Sequence, residues 1–225
     1  FSVNSDGRIR NLDMKIDQRF YQRAYALDAI ESGFINQRRG SAAKEHQAIL
    51  KEAFGVLTSS QMDALKVAGE PENVKERYGN NGFGKGCLMA RRLVEAGVPF
   101  IEVNLGGWDN HQNIHPMLRD TKLPMLDQGM SALFEDLEQR GLIDDTVVIW
   151  MGEFSRTPRI NQNAGRDHWA RSWSVVVGGG GMNGGISVGE TNSDGTRVET
   201  EPHTSQDVMA SVCKALGISL GTTFT

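Results

Sequence analysis

Between Met14 and about Tyr78 the chain repeats its apolar residues at helical spacing. Phe20, Ala24, Leu27 and Ile30 share one face, and Ala43, Gln47, Leu50 and Phe54 repeat the interval. No strand is required there. Gly40-Ser41 separates the first two helices, Ser59-Ser60 can cap a short third, and Glu70-Pro71 can start a fourth.

From Phe83 the pattern changes to alternating helix and strand. The spacing predicts a helix over Cys87 to Glu95 that stops at Gly97, then a buried strand over Phe100 to Leu105. Leu126, Met130, Leu133 and Leu137 mark the clearest helix, which Gly141 ends, and Thr146 to Met151 reads as the next strand. A strand over Trp173 to Val177, antiparallel to its neighbours, precedes the run Gly178 to Gly181. A last helix spans about Ser205 to Leu216, with Thr204 or Ser205 as cap and Gly217 as stop. Such alternation predicts an α/β fold with a mainly parallel sheet covered on both faces by helices. The expected organisation is a helical extension or lid over residues 1–82 and an α/β metal-site domain over 83–225.

Composition narrows the function classes. The 225 residues are 39% hydrophobic and 23% charged, enough apolar content for a packed core. A net charge of -4 gives no electrostatic reason to expect nucleic acid as a partner. No apolar run is long enough to span a membrane. The opening Phe1-Ser2-Val3-Asn4 lacks an initiator Met, so the start reads as processed or truncated. Cys87 and Cys213 sit on apolar helical patterns, as two buried thiols rather than a disulfide.

The chemistry-bearing residues follow the expected strands. Gly106-Gly107-Trp108-Asp109-Asn110-His111 places a carboxylate and an imidazole in a glycine-bordered loop. Asp109 and His111 offer mixed oxygen and nitrogen donors suited to zinc, manganese or iron; equally, Asp109 can make an Asx turn beside a solvated His111. Glu153 follows the apolar run to Met151, where packing gives no reason for an acid, and its alternative is a salt bridge to Arg156 or Arg159. Arg156 and Arg166 can clamp a tetrahedral oxyanion or neutralise nearby carboxylates. In Gly165-Arg166-Asp167-His168-Trp169, His168 can bind metal or move a proton, with Asp167 orienting it. His115 reads as a loop histidine. Ser155 and Thr157 lack a base partner, and the glycine run lacks the Lys-Ser/Thr of a phosphate loop. In a parallel sheet the loops after Leu105 and Met151 leave from one edge, so Asp109, His111, Glu153 and His168 are expected in a common pocket there.

These motifs, Gly-Gly-Trp-Asp-x-His, Gly-Glu-Phe-x-Arg-Thr-Pro, Gly-Arg-Asp-His-Trp and the glycine run, resemble the bacterial family catalogued as domain of unknown function 1501. Tyr78-Gly79, Phe83-Gly84, Cys87-Leu88 and Ala90 to Gly97 extend the resemblance to about Met14 to Ile218. That family is similar to the alkaline phosphatase and sulfatase superfamily, which implies an alkaline-phosphatase-like doubly wound sheet, incomplete in this chain, and a divalent metal. Zinc is first in that expectation, with manganese, iron or calcium as alternatives. Asp109 and His111 match the superfamily's first metal-binding pair, Glu153 stands for the acid of the second, and His168 matches the last histidine. Phe154 departs from the pattern where the second pair has a histidine, and no early-strand nucleophile precedes Met14.

The resemblance thus implies the carboxy-terminal portion of a periplasmic or otherwise exported, metal-dependent hydrolase of phosphate or sulfate esters, acting on a small molecule or polysaccharide. Asp109, His111, Glu153 and His168 would be its metal ligands, and Arg156, Arg166 and Asp167 its catalytic residues. Phe154 and the unmatched nucleophile speak for the other reading, a non-catalytic binding or cell-envelope module.

Overall fold

The computed structural model describes residues 2–3, 17–36 and 42–223. It divides the chain into two compact units, Phe1–Lys75 with Asn80–Asn104, and Glu76–Gly79 with Leu105–Thr225.

In the first unit, α1 (Gln18–Asn36) and α2 (Ala42–Leu57) pack through stacked Phe20 and Phe54 rings, 5.5 Å apart, with Tyr21 edge-on to Phe54. The expected break at Gly40-Ser41 lies outside the described residues. A 3₁₀ helix follows at Ser60–Leu65, but the Ser59 hydroxyl donates back to the Val56 carbonyl at 2.9 Å instead of capping it. α3 (Glu72–Tyr78) starts directly after Pro71, whose carbonyl accepts from the Val74 and Lys75 amides.

α4 (Gly82–Glu95) begins five residues earlier than the spacing predicts, because Asn81 caps it by accepting from the Gly84 amide at 2.9 Å. Three glycines among Gly82 to Gly86 conceal that start in the sequence. Its inner face supplies Met89 and Leu93 to a core with Ala64 and Val98. Arg91, 2% exposed, pairs with Glu70 at 2.9 Å and Glu95 at 2.7 Å, while Arg92 bonds Glu70 and donates to the Ala64 carbonyl. Paired in this way, the cations can be buried. Desolvation pushes the Glu70 carboxyl up, but the two arginines outweigh it and hold it below its ordinary range. Burial pushes the Cys87 thiol up to about 12, so it behaves as an inert core residue.

The second unit is built on α6 (Leu123–Gln139), reached through the short α5 (Ile114–Met117) and one π-helical turn, Leu118–Lys122. Leu126, Leu133 and Leu137 are buried as the periodicity predicts. Asp136 on the same helix is 1% exposed and accepts from the Tyr78 hydroxyl at 2.9 Å and from Arg77, which ties residues 76–79 to α6. α7 (Ser205–Ala215) opens with a capping box: Thr204 accepts from the Asp207 amide, and the Asp207 carboxylate accepts from the Thr204 amide at 2.7 Å. Cys213 on this helix is half-buried and free.

The described residues do not form the expected doubly wound, alkaline-phosphatase-like, mainly parallel sheet. Strands among the described residues form three separate pairs. β1 (Ser2–Val3) runs parallel to β2 (Glu102–Val103). The other two pairs are antiparallel, β3 (Val147–Trp150) with β6 (Val176–Gly179), and β4 (Ser155–Arg156) with β5 (His168–Trp169).

The error has a physical source. A continuous apolar run reads as a strand buried on both faces, yet Phe100 is 73% exposed and Met151 53%. The expected strand Phe100 to Leu105 shrinks to two residues. The last strand is antiparallel as expected but displaced from Trp173 to Val177 onto Val176–Gly179. Among the described residues, no helix is long and apolar enough to cross a membrane.

Tyr78→Phe removes a hydrogen bond to a buried carboxylate and should cost about 1–3 kcal/mol of stability. Urea denaturation checks this, and an unchanged midpoint would show that Asp136 does not need the Tyr78 hydroxyl.

Candidate metal centre

Three loops of the second unit form the site without a common sheet edge. The first runs from Leu105 to Asn113. Its tryptophan is pinned by the Trp108 indole N–H donating to the Leu105 carbonyl at 2.6 Å, and Lys122 Nζ donates to the Gly106 carbonyl at 2.5 Å. A Cβ at Gly107 would lie 2.7 Å from that Lys122 nitrogen.

The second and third loops belong to one hairpin. β4 and β5 place Arg156 directly opposite His168. Beyond them, the Thr157 amide donates to the Asp167 carbonyl at 2.8 Å and the Asp167 amide to the Thr157 hydroxyl at 3.1 Å.

Asn161 organises the turn of this hairpin. Its Oδ1 accepts from the amides of Asn163 and Gly165, both at 2.9 Å; its Nδ2 donates to the His111 carbonyl and to Asp167, both at 3.1 Å. The chain then passes so close to the first loop that a Cβ on Gly165 would lie 2.0 Å from the His111 carbonyl carbon. Only glycine permits this approach. Three backbone bonds seal it: Arg166 N–H to the Asn110 carbonyl, Asn113 N–H to Asn163, and Ile114 N–H to Ala164.

Through this contact Asp109, His111 and His168 bring one ligand atom each to within 4.8 Å of one another. Asp109 Oδ1 is the focus. His168 Nε2 lies 3.0 Å from it, His111 Nδ1 3.3 Å, and Arg156 donates to it at 2.5 Å. One carboxylate and two imidazoles are donor types that zinc accepts, and the 3.3 Å between His111 Nδ1 and Asp109 Oδ1 is close to the roughly 3.3–3.6 Å between donors on a tetrahedral zinc shell.

The remaining sequence candidates have other places. The Glu153 carboxylate stands outside the three-donor group and binds Arg156 at 3.3 Å, so the same guanidinium bridges Glu153 and Asp109. Arg156 is also held over the Phe154 ring, 5.3 Å from its centroid, and Phe154 packs against His168 at 4.9 Å. Arg166 spends its guanidinium on the Thr157 and Pro158 carbonyls, at 2.6 and 3.0 Å. Asp167 stands 3.9 Å from His111 Nε2, beside His111 instead of orienting His168. His115 lies on α5.

Sequence reasoning overlooked Asn161 and Lys122. The run Asn161-Gln162-Asn163-Ala164-Gly165 carries the signal for the first, an Asn before a glycine turn; a lysine one helical segment away carries none for the second.

Desolvation pushes the Asp109 carboxyl up, but the His168 hydrogen bond and the charges of Arg156, His111 and His168 outweigh it and hold Asp109 below its ordinary range. A depressed acid contributes stability above its unfolded-state value, lost as pH falls through the folded one. Arg156→Gln should therefore move the Asp109 titration upward in carboxyl carbon NMR. An unmoved midpoint would mean that the guanidinium does not act on this carboxylate. Gly165→Ala should destabilise the protein by about 1–3 kcal/mol or more in thermal melts, by overpacking against His111; a neutral result would mean that the loops separate at no cost.

A family model described as "Protein of unknown function (DUF1501)" matches residues 4–225. No curated protein matches the chain, and no solved structure does.

Proposed function

The chain belongs to the DUF1501 family, and on that footing we propose that it holds one divalent cation through Asp109, His111 and His168 and acts on phosphate or sulfate esters. The observation that carries this reading is the convergence of one carboxylate and two imidazoles, Asp109 and His111 from one loop and His168 from the facing hairpin. Three protein donors leave coordination positions open, as in catalytic rather than structural zinc sites. When bound, the cation supplies Lewis-acid polarisation of an ester oxygen and stabilises the leaving alkoxide.

The chain's own residues supply the rest. Arg156, only 16% exposed along its side chain and oriented by Glu153 and Phe154, presents guanidinium donors matched to a tetrahedral anion. Glu153 neutralises Arg156 and lowers the repulsion between it and the cation. Asp167 beside His111 favours the ring orientation in which Nδ1 faces Asp109. Arg166 holds the hairpin turn by its carbonyl bonds and contributes positioning.

Elemental analysis of purified protein after zinc loading and dialysis tests the metal, and hydrolysis of 4-nitrophenyl phosphate and 4-nitrophenyl sulfate tests the reaction. The expected result is about one zinc per chain, reduced about tenfold or more in affinity in His168→Ala at an unchanged melting temperature of the metal-free protein. Affinity should fall as pH is lowered, because the imidazoles must be unprotonated to ligate. Zinc binding that His168→Ala leaves intact would sink the reading. Stoichiometric zinc with neither ester cleaved would favour the second reading, a non-catalytic metal-binding module, which Phe154 supports by packing carbon against His168 where the resembled superfamily has a histidine.

A further inference from the structure

Beside the donor cluster, the second unit carries a concavity of about 980 Å³ that its own core does not fill. Its walls are Leu123, Met130 and Phe134 of α6, Trp150 of β3 and Val176 of β6. Leu123, Trp150 and Val176 are 46%, 38% and 40% exposed. Large apolar side chains left open around one concave surface are unusual, since covering them is favourable.

Three titratable groups also stand in its lining, Arg119, Asp127 and His115. Asp120 holds Arg119 through two hydrogen bonds, at 2.6 and 3.0 Å, which offsets its pull on an anion, and the Asp127 carboxylate repels one. The groove therefore suits the uncharged, apolar part of a ligand.

Its link to the donor cluster is a pair of tryptophans. Trp150 in the wall meets Trp108 with ring centroids 6.3 Å apart and planes tilted by 57°. Trp108 is the residue before Asp109, and its indole N–H is already committed to the Leu105 carbonyl, so it offers ring carbon and no donor.

We propose that this groove binds an alkyl or aryl group of the ligand, so that the substrate is an anionic ester with an apolar substituent, its charged head at Asp109, His111, His168 and Arg156. This rests on the function proposed above for the head. The volume suits a small molecule. A stable protein partner would need about 800 Å² of matching surface from each side.

Calorimetric titration of the full chain in zinc-containing buffer with inorganic phosphate, phenyl phosphate and phenol tests both halves separately. Phenyl phosphate should bind about tenfold or more tightly than inorganic phosphate, the size expected for burying one ring. Leu123→Gln, and independently Met130→Gln, should bring that ratio close to one, while His168→Ala should weaken phenyl phosphate and leave phenol unchanged. Thermal melts establish that each variant is folded.

Equal affinity for phenyl phosphate and inorganic phosphate in the unaltered protein would overturn the groove and leave the head site standing. Phenyl phosphate and phenol binding equally well without zinc, both weakened by Leu123→Gln, would support the groove and sink the head. Binding of none of the three probes overturns the proposal. So does dimerisation in sedimentation analysis that Leu123→Gln abolishes, since a second copy would then be what covers the groove.

Discussion

The site depends on one close approach, that of the Gly165 backbone to the peptide joining His111 and Gln112. There is no room for a single methyl group between them. Because the two strands of chain touch, the amide of Arg166 reaches the Asn110 carbonyl, and those of Asn113 and Ile114 reach Asn163 and Ala164. His168, three residues beyond Gly165, is thereby held beside Asp109, two residues before His111. The geometry of Asp109, His111 and His168 follows from backbone contact, from hydrogen bonds within loops and, for His168, from the short β4–β5 pairing.

Such a loop-built site needs a rigid support, and the second unit supplies one through buried polar pairing. Asp136 would be costly in the interior without partners, but Tyr78 and Arg77 satisfy it and join a four-residue segment to the longest helix of the unit. The first unit uses the same device, with Arg91 and Arg92 closed around Glu70. At the donor cluster the logic is inverted. Asp109 stays exposed, and three basic groups converge on one of its oxygens. A carboxylate so surrounded stays ionised below its ordinary range, and two of its three partners are imidazoles.

Arg156 links these themes. It is fixed by an aromatic face and two carboxylates, and by its register opposite His168 it belongs to the same hairpin that delivers the second imidazole. An arginine held this way has little side-chain freedom left to lose, which is what the proposed role as an anion receptor would draw on. The groove walled by Trp150 meets the loop that carries Asp109 through the contact of Trp150 with Trp108, and apolar side chains make up most of its lining.

What the sequence determined by itself was local. The stripe Leu126, Leu133, Leu137 placed α6, Thr204 or Ser205 announced the start of α7, and glycine-bordered polar motifs singled out Asp109, His111 and His168. These signals lie within one turn or one loop, where side-chain spacing and backbone geometry are coupled directly. Strand pairing was not legible. The apolar runs ending at Leu105 and Met151 carry the same pattern whether a parallel sheet covers them or an antiparallel ribbon leaves them partly open, and only contacts between distant residues decide. Tertiary structure likewise separated the donors from their neighbours. It gave Glu153 to Arg156 and Arg166 to two carbonyls, and it made Asn161 the organiser of the turn, because hydrogen-bond partners are chosen by proximity in space and spacing along the chain does not record that.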